Sequence, residues 1–536
     1  MNRILVLKIR FSVMMVFLLV MGTGCIHPDH WPVFQSPSSP SDLEDNFFSL
    51  SQKETVEILK DKAQPVAVVT GNSLAVSLDQ ALVMALETNS GIRVVKYNPV
   101  LAGLNETIER GKFDPQVFSE FTTSSERTRE LDSGTWKTAG EQNHTAGIGM
   151  SEKFPSGTDI EVGLSHRIDD THDESQEQTS RIGMTITQAL LQGYDPFVNL
   201  ASIRQAELDT KVSFQELRGI TEALLADTET AYWDHVLARQ EIDIFKTAMD
   251  VAKKQLSEVV QRIEIGTLPP VEAAAARVEV ALRDQDLINA KSAFEESRLR
   301  LLFYIHQGRD EQYHLEIQAT TRAQSETEPL GMPSDHIELA DRFRSDLQEA
   351  RLRIKQNRLE IVKTRNGILP RLDLFITLGK SGYADSFSSS FRAMGDSFYD
   401  LSAGIKFSRP LGNRSAYATD RAARVTLIQT REALENLRQI IERDVRIALN
   451  NLDRVNQQIA ATRVTRMHQE ESLKAEQERF EAGTSTSLMV AQAQRDLLTS
   501  HIREKEAVID YKKALVKLFL AEGSLLERRG IRLSEF

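Results

Sequence analysis

The sequence predicts an α+β membrane chain: long α-helical coiled-coil hairpins joined to transmembrane β-strands and built by one internal duplication. Three observations predict it. The chain opens with an export-type leader. It carries two very long stretches free of proline. It also carries segments of about ten residues in which apolar and polar residues alternate.

Composition narrows the class first. At 536 residues the chain is too long for one compact core. A polytopic helical membrane protein needs several apolar runs of about 20 residues, and only one strongly apolar run is present, near the N-terminus. Fifteen prolines and 27 glycines are too few for a largely disordered or collagen-like chain. A formal net charge of -12 argues against a nucleic-acid binder. One cysteine excludes an internal disulfide framework and a cysteine-based zinc site. No cofactor is implied. Walker-type, His-Glu-x-x-His and Gly-x-Ser-x-Gly motifs do not occur, so the reading is not an enzyme.

Residues 1–24 read as a signal peptide. Arg3, Lys8 and Arg10 form a basic start, and Phe11 to Met21 an 11-residue apolar segment shorter than a membrane span. Gly22-Thr23-Gly24-Cys25 comes next and resembles a bacterial lipoprotein processing site, with Gly22 where leucine is usual. The resemblance implies acyl attachment at Cys25, and Ile26 after it permits an outer-membrane address. Acyl chains anchor at roughly 0.8 kcal/mol per buried CH₂. Residues 25–76 read as a lipid-anchored tether, because the stretch begins rich in proline and serine, Trp31 to Pro40. Ser77-Leu78-Asp79-Gln80 then opens a helix, with Ser77 as N-cap and Gln80 at the capping-box position.

An internal repeat organises the rest of the chain. Arg262-Ile263-Glu264-Ile265-Gly266-Thr267 matches Arg479-Phe480-Glu481-Ala482-Gly483-Thr484 at an offset of 217 residues (479 minus 262). Arg204-Gln205-Ala206 matches Arg421-Ala422-Ala423 at the same offset. Phe113-Asp114-Pro115 and Ile368-Leu369-Pro370 each come after a helical segment and precede a strand-like one. The halves, 77–306 and 335–536 with a linker at 307–334, therefore share one order: helix, strands, long helix, Gly-Thr turn, helix. Prolines are absent between Pro196 and Pro269 and after Pro410, and a helix of about 65 residues spans roughly 100 Å. In the second copy Leu434, Leu437, Ile441, Val445, Ala448, Leu452, Val455 and Ile459 form a coiled-coil seam.

The strand-like segments alternate. Ile182, Met184 and Ile186 alternate with Gly183, Thr185 and Thr187, Leu372 to Leu378 with Asp373, Phe375 and Thr377, and Leu401 to Phe407 with Ser402, Gly404, Lys406 and Ser408; Ile160, Val162, Leu164 and Ile168 share a face interrupted by His166. Ser381–Asp396 reads as a polar loop. The first half carries an additional hairpin, His144–Phe154 and Asp159–Ile168, turning at Pro155-Ser156-Gly157; it either extends the strand pair beyond the membrane or adds strands, and extension is the favoured expectation. Asp169 to Glu174 is acidic and reads as a solvated loop.

With these features the chain, over about 77–523, resembles the TolC-like outer-membrane efflux protein family. The resemblance rests on the Ser77 helix opening, on Thr187 to Gly193 and Ser408-Arg409-Pro410-Leu411 leading from strands to long helices, and on the paired Arg-x-x-x-Gly-Thr turns. It implies a homotrimer in which three protomers share a twelve-stranded β-barrel, four strands from each, in the outer membrane of a Gram-negative bacterium. A long α-helical tunnel would lie in the periplasm. One chain has too few strands to close a barrel, and an open edge in lipid is forbidden, which independently requires oligomers. The implied function is the outer-membrane channel of a tripartite efflux or type I secretion system. Its partners would be a periplasmic adaptor protein, an inner-membrane pump and outer-membrane lipid. Arg262, Gly266, Thr267, Arg479, Gly483 and Thr484 are expected at the adaptor-docking turns, the glycines supplying positive φ and Thr267 and Ser485 capping the next helices. The family often places acidic gate residues after the second turn; here Met489 and Gln492 stand there, with Asp496 further on and Glu272 in the first copy. The rival readings are a periplasmic adaptor lipoprotein, which needs only one hairpin, and a secreted coiled-coil structural protein, which leaves the strands unexplained.

Overall fold

The computed structural model describes residues 58–60, 68–70, 73–132, 135–171, 177–305, 314–323, 331–395 and 397–533, all within one compact unit spanning Val56–Phe536. The signal peptide and Cys25 lie outside the described residues. Three short strands, β1 (Ile58–Lys60), β2 (Val68–Thr70) and β3 (Ser73–Val76), fall in the segment read as a tether. Ser77 caps α1 (Leu78–Thr88) with both halves of the capping box present, as its sequence predicts. Next come α2 (Ser90–Val95), α3 (Tyr97–Arg110) and four strands: β4 (Gln116–Asp132), β5 (Thr135–Lys153), β6 (Thr158–Thr171) and β7 (Glu177–Ala189). A short α4 (Pro196–Asn199) leads into α5 (Ala201–Glu264), and α6 (Glu272–Ile305) returns antiparallel to it. The second half repeats the order with β8 (Glu316–Ala319), α7 (Pro333–Phe343), α8 (Ser345–Gly367), β9 (Arg371–Ala384), α9 (Phe387–Ala393), β10 (Tyr399–Ser408), α10 (Arg414–Glu481) and α11 (Ser487–Glu522). The chain closes with α12 (Leu525–Arg528) and β11 (Ile531–Leu533).

The two long helices have 64 and 68 residues, about 96 and 102 Å at 1.5 Å per residue. No helix among the described residues is long and apolar enough to cross a membrane. The predicted seam on α10 is real. Ile441, Val445, Leu452 and Val455 are buried with Tyr511, Ala514 and Leu518 of α11, and Leu434, Leu437, Ala448 and Ile459 pack against the same cluster. This heptad packing holds a helix whose mean composition is polar, so its stability comes from the seam and not from propensity.

The large strands form one six-stranded antiparallel sheet in the order β10-β9-β7-β6-β5-β4. The additional hairpin lies within β5 and β6, so it does not merely lengthen a pair: it adds two strands to the sheet, and the expectation of extension alone is corrected. Alternation on both sides of the Pro155-Ser156-Gly157 turn, interrupted in β6 at His166, lets each strand find a full ladder partner. One face carries Val162, Leu164, Ile182, Met184, Ile376, Leu378, Leu401 and Ile405; the other carries Thr185 and Thr377, whose hydroxyls meet at 3.3 Å, and the Arg181–Asp400 ion pair at 2.6 Å.

The segment read as a polar loop after Ser381 is structured. β9 continues to Ala384 and α9 folds back onto the apolar face. Its Ser390 hydroxyl lies 2.8 Å from the Ser180 hydroxyl, and Phe387 meets the His166 ring edge-on at 4.8 Å. His166, the one polar interruption of that face in β6, is thus bonded to Ser180 at 3.0 Å and covered by an aromatic ring. Gly382 is required here, since a Cβ would sit 2.0 Å from the Ser390 carbonyl oxygen.

A second apolar core ties the chain ends to the middle of the long helices. Leu225, Tyr232 and Trp233 of α5 pack with Val76, Leu82, Leu301, Ile317, Ile509 and Leu525. Tyr232 donates to the Val76 carbonyl at 3.1 Å and accepts from the Thr321 backbone N–H at 3.0 Å, which pins β3 and the strand β8 parallel to it onto α5. Beside this core Glu222 is buried under Arg218, whose guanidinium donates to Glu222 at 3.2 Å, to the Gly523 carbonyl at 3.2 Å and to Glu527 at 2.7 Å. Burial outweighs Arg218 and raises the Glu222 carboxyl to about 8. The folded chain therefore binds one more proton than the unfolded chain between the ordinary carboxylate range and about pH 8. Stability from this group is present at low pH and is lost as pH rises through that window. The expected outcome is a loss of about 2–3 kcal/mol between pH 6 and pH 9 that Glu222→Gln abolishes, at roughly 1.4 kcal/mol per pH unit. Thermal or denaturant unfolding of the detergent-solubilised chain at both pH values measures it; an equal slope in the variant refutes it.

Candidate functional site

The candidate site is the free end of the two helical hairpins, the ends of α5 and α10 remote from the sheet. Both turns fold by one mechanism. Gly266 has φ +84° and Gly483 φ +75°. The Gly266 N–H donates to the Ile263 carbonyl at 3.0 Å and the Thr267 N–H to the Arg262 carbonyl at 2.8 Å; the second turn repeats this with Gly483 to Phe480 at 3.1 Å and Thr484 to Arg479 at 2.9 Å. These are Schellman closures, in which a left-handed residue lets the chain satisfy the last helical carbonyls. A Cβ on either glycine would meet nothing within 4 Å, so conformation and not crowding demands glycine.

The threonines act differently from expectation. Thr267 and Thr484 donate their hydroxyls back to the Arg262 and Arg479 carbonyls at 2.8 and 3.0 Å, closing the preceding helices. Ser485 bonds to Glu476, and the residue that caps α11 is Thr486, which accepts from the Met489 N–H at 3.4 Å. The Schellman geometry carries the side chain after glycine over the finished helix, so Thr267 and Ser485 do not cap the next helices.

The structure brings the two turns together. The Arg262 guanidinium lies 5.1 Å from the centre of the Phe480 ring, a cation–π contact between hairpins. Arg479 is exposed and bonds to Glu476 of its own helix at 3.1 Å, so the paired arginines differ in role. Glu272 is not a solvated charge. Its carboxylate accepts from the Ser487 N–H at 3.2 Å and from the Ser487 hydroxyl, joining the start of α6 to the start of α11. A carboxylate at a helix N-terminus is favoured by the unpaired N–H groups there. Met489, Gln492 and Asp496 are exposed on α11. Ile265, Val271, Leu488 and Met489 together leave an exposed apolar surface at the tips.

Sequence reasoning missed a second link. Glu279 and Arg283, both buried, pair at 2.7 Å; Arg283 also reaches Asp286 at 2.9 Å, and Arg495 of the other hairpin lies 3.6 Å from Glu279. The i, i+4 spacing of Glu279 and Arg283 was the available signal, but such pairs are usually solvated. Next to it a cavity of about 470 Å³ opens between the hairpins, lined by Ile244, Thr247, Leu497 and His501 among others. Burial and the nearby Arg466 hold the His501 imidazole below its ordinary value, hence neutral at pH 7.

Long paired hairpins, an antiparallel sheet with one apolar face and a duplicated order define a membrane-channel class of protein. Residues 337–524 match the family model described as outer membrane efflux protein. The chain is similar to the outer membrane protein TolC of Escherichia coli strain K12, with 22% identity over 373 residues that cover 67% of this chain and 74% of that protein. Its fold is that of the outer-membrane channel OprN, with TM-score 0.63, 16% identity, 83% of this chain and 90% of that one covered. It is also that of the open-state MtrE outer membrane channel of Neisseria gonorrhoeae, with TM-score 0.61, 17% identity, 88% and 98% covered. Over residues 337–524 the chain thus matches the outer membrane efflux protein family, and as a whole it is similar to TolC-like outer-membrane channels. Its relatives by sequence and by fold are outer-membrane proteins and channels.

Replacing Gly266 or Gly483 by alanine forces an L-residue into the left-handed region at roughly 1–2 kcal/mol each. The expected outcome is faster amide exchange confined to the last two turns before each tip, with the α10–α11 seam protected as before. Hydrogen exchange read by mass spectrometry checks it.

Proposed function

We propose that three copies of this chain assemble into one continuous conduit, a β-barrel in the outer membrane continued by an α-helical tunnel in the periplasm. The conduit passes substrates delivered by an inner-membrane pump through a periplasmic adaptor, with no chemical step. The observation that carries this reading is the pair of identically closed turns, about 100 Å of helix away from the sheet, which present exposed apolar side chains. Exposed patches of this kind mark protein interaction sites. The turns at Arg262, Gly266, Thr267, Arg479, Gly483 and Thr484 are the adaptor-docking end. Cys25, after removal of residues 1–24, is the lipid attachment that holds the assembly to the outer membrane.

Glu272 is the gate residue in this reading. Its bonds to Ser487, with the Glu279–Arg495 pair two turns deeper, hold the two hairpins together where the tunnel ends. Opening requires one hairpin to move against the other, so these polar ties set the closed state. Met489, Gln492 and Asp496 stand on the exposed side of α11, where they line the moving hairpin. Glu272→Ala removes the tie without leaving a buried charge. The expected outcome is a several-fold rise in single-channel conductance or open time in planar bilayers, and an unchanged conductance refutes the gate role.

The assembly itself is tested by the native mass of the detergent-solubilised protein from the outer-membrane fraction. A trimer with an acyl increment per chain supports both the conduit and the Cys25 anchor. A trimer without the increment retains the conduit and rejects acylation. A monomer in the inner-membrane or soluble fraction rejects the conduit in favour of an adaptor lipoprotein.

A further inference from the structure

Among the described residues the sheet ends in two free edges, β4 and β10. β4 runs away from the helices and β10 runs back toward them, because six antiparallel strands make an even number of passes. The β10 edge of one copy therefore meets the β4 edge of the next in antiparallel sense.

The ladder also fixes a stagger. Directly opposite partners run from Gln116 through Ser151, Glu161, Thr185 and Thr377 to Ser402. Gln116 is the helix-side end of β4, whereas Ser402 lies six residues short of the helix-side end of β10 at Ser408. The intermediate strands end at intermediate depths, so the shear accumulates in one direction across the sheet. Six residues accumulate over the five steps within one chain, and with the seam to the next copy as the sixth step the average is one residue per strand. At about 3.3 Å per residue and about 4.8 Å between strands, this tilts the strands by about 35°, within the range of transmembrane barrels.

We propose that three copies close an eighteen-stranded barrel in which β10 of each pairs with β4 of the next, Gln116 opposite Ser408 and Thr122 opposite Ser402; this rests on the three-copy reading above. Other registers fail. A shift by one residue swaps the apolar and polar faces. A shift by two toward Lys406 lowers the tilt to about 25°, and a shift by two the other way sets Gln116 against Pro410, which has no N–H to give. In the chosen register Val117, opposite Phe407, and Phe121, opposite Ala403, continue the apolar face across the seam. On the polar face Lys406 lies diagonal to Glu120, within reach of an opposite charge.

The consequence is a wider passage. Eighteen strands at this tilt enclose a backbone diameter of about 34 Å, against about 22 Å for twelve. The barrel wall is then not the size filter, and the conduit accommodates bulky hydrophilic solutes, extended polypeptides included, with selection left to the helical end.

The test is disulfide formation between copies of the full chain in outer membranes. Directly opposite residues stand about 4.5–5.5 Å apart at Cα, within disulfide range. The expected outcome is that Thr122→Cys with Ser402→Cys gives reductant-sensitive dimers and trimers on mild oxidation, whereas each single variant, which retains the lone Cys25, gives none. If β10 instead meets β6 in a twelve-stranded barrel, the same shear rule places Ser165 opposite Ser402. Cross-linking by Ser165→Cys with Ser402→Cys overturns the proposal. So does a lack of cross-linking by Thr122→Cys with Ser402→Cys in a preparation whose native mass is a trimer, and the channel reading survives both results. A monomeric mass rejects the assembly itself.

Discussion

Backbone N–H and C=O groups cannot end in hydrocarbon, where each unpaired group costs several kcal/mol. β4 and β10 each carry a full row of them. This constraint converts a local fact, the number of strands in one chain, into the size of the assembly. Because β4 and β10 run in opposite directions, the proposed barrel is completed by copies of the same sheet meeting edge to edge. Because the stagger of the strand ends accumulates in one direction across the sheet, tilt, lumen width and seam register are set together in the proposed barrel.

The helical portion obeys a different constraint. Helices of 64 and 68 residues cannot bury enough surface alone, so each leans on its return helix along a narrow apolar seam. In the middle of the long helices, the seams merge with larger clusters built around Tyr232 and Tyr511. At the tips, Glu272–Ser487, Arg262–Phe480 and the Glu279–Arg283–Arg495 group replace apolar contacts between the hairpins. Apart from the buried Glu279–Arg283 pair, these ties lie near solvent and contribute little each, so local stability falls toward the tips. The gate proposed at that end draws on this gradient.

Both halves meet at Arg218, Glu222 and Gly523. One guanidinium bonds a buried carboxylate of α5 and the last turn of α11. A buried, partly neutral carboxyl at this junction makes the grip between the halves depend on protonation, whereas the seams and the sheet do not.

Much of this architecture is legible in the chain. The proline-free stretches announce α5 and α10, the 3,4-spaced leucines and isoleucines of α10 mark its seam, and the Arg-x-x-x-Gly-Thr repeats locate both tips, because these are signals of single elements read along one strand of sequence. The sequence marked the alternation of Ile182 to Ile186 and of Leu401 to Phe407 for the same reason. What it left open concerns pairs. That the hairpin at 144–168 joins the sheet and does not extend it depends on which ladder β5 and β6 enter. That Thr267 closes the helix behind it, that Glu272 reaches Ser487 and that His166 is covered by Phe387 depend on partners 5 to 221 positions away. The sequence by itself determined the elements, since periodicity, proline and glycine act within a few residues; only the tertiary structure decided strand count, stagger and hairpin ties, since these are set by contacts between elements that no local pattern encodes.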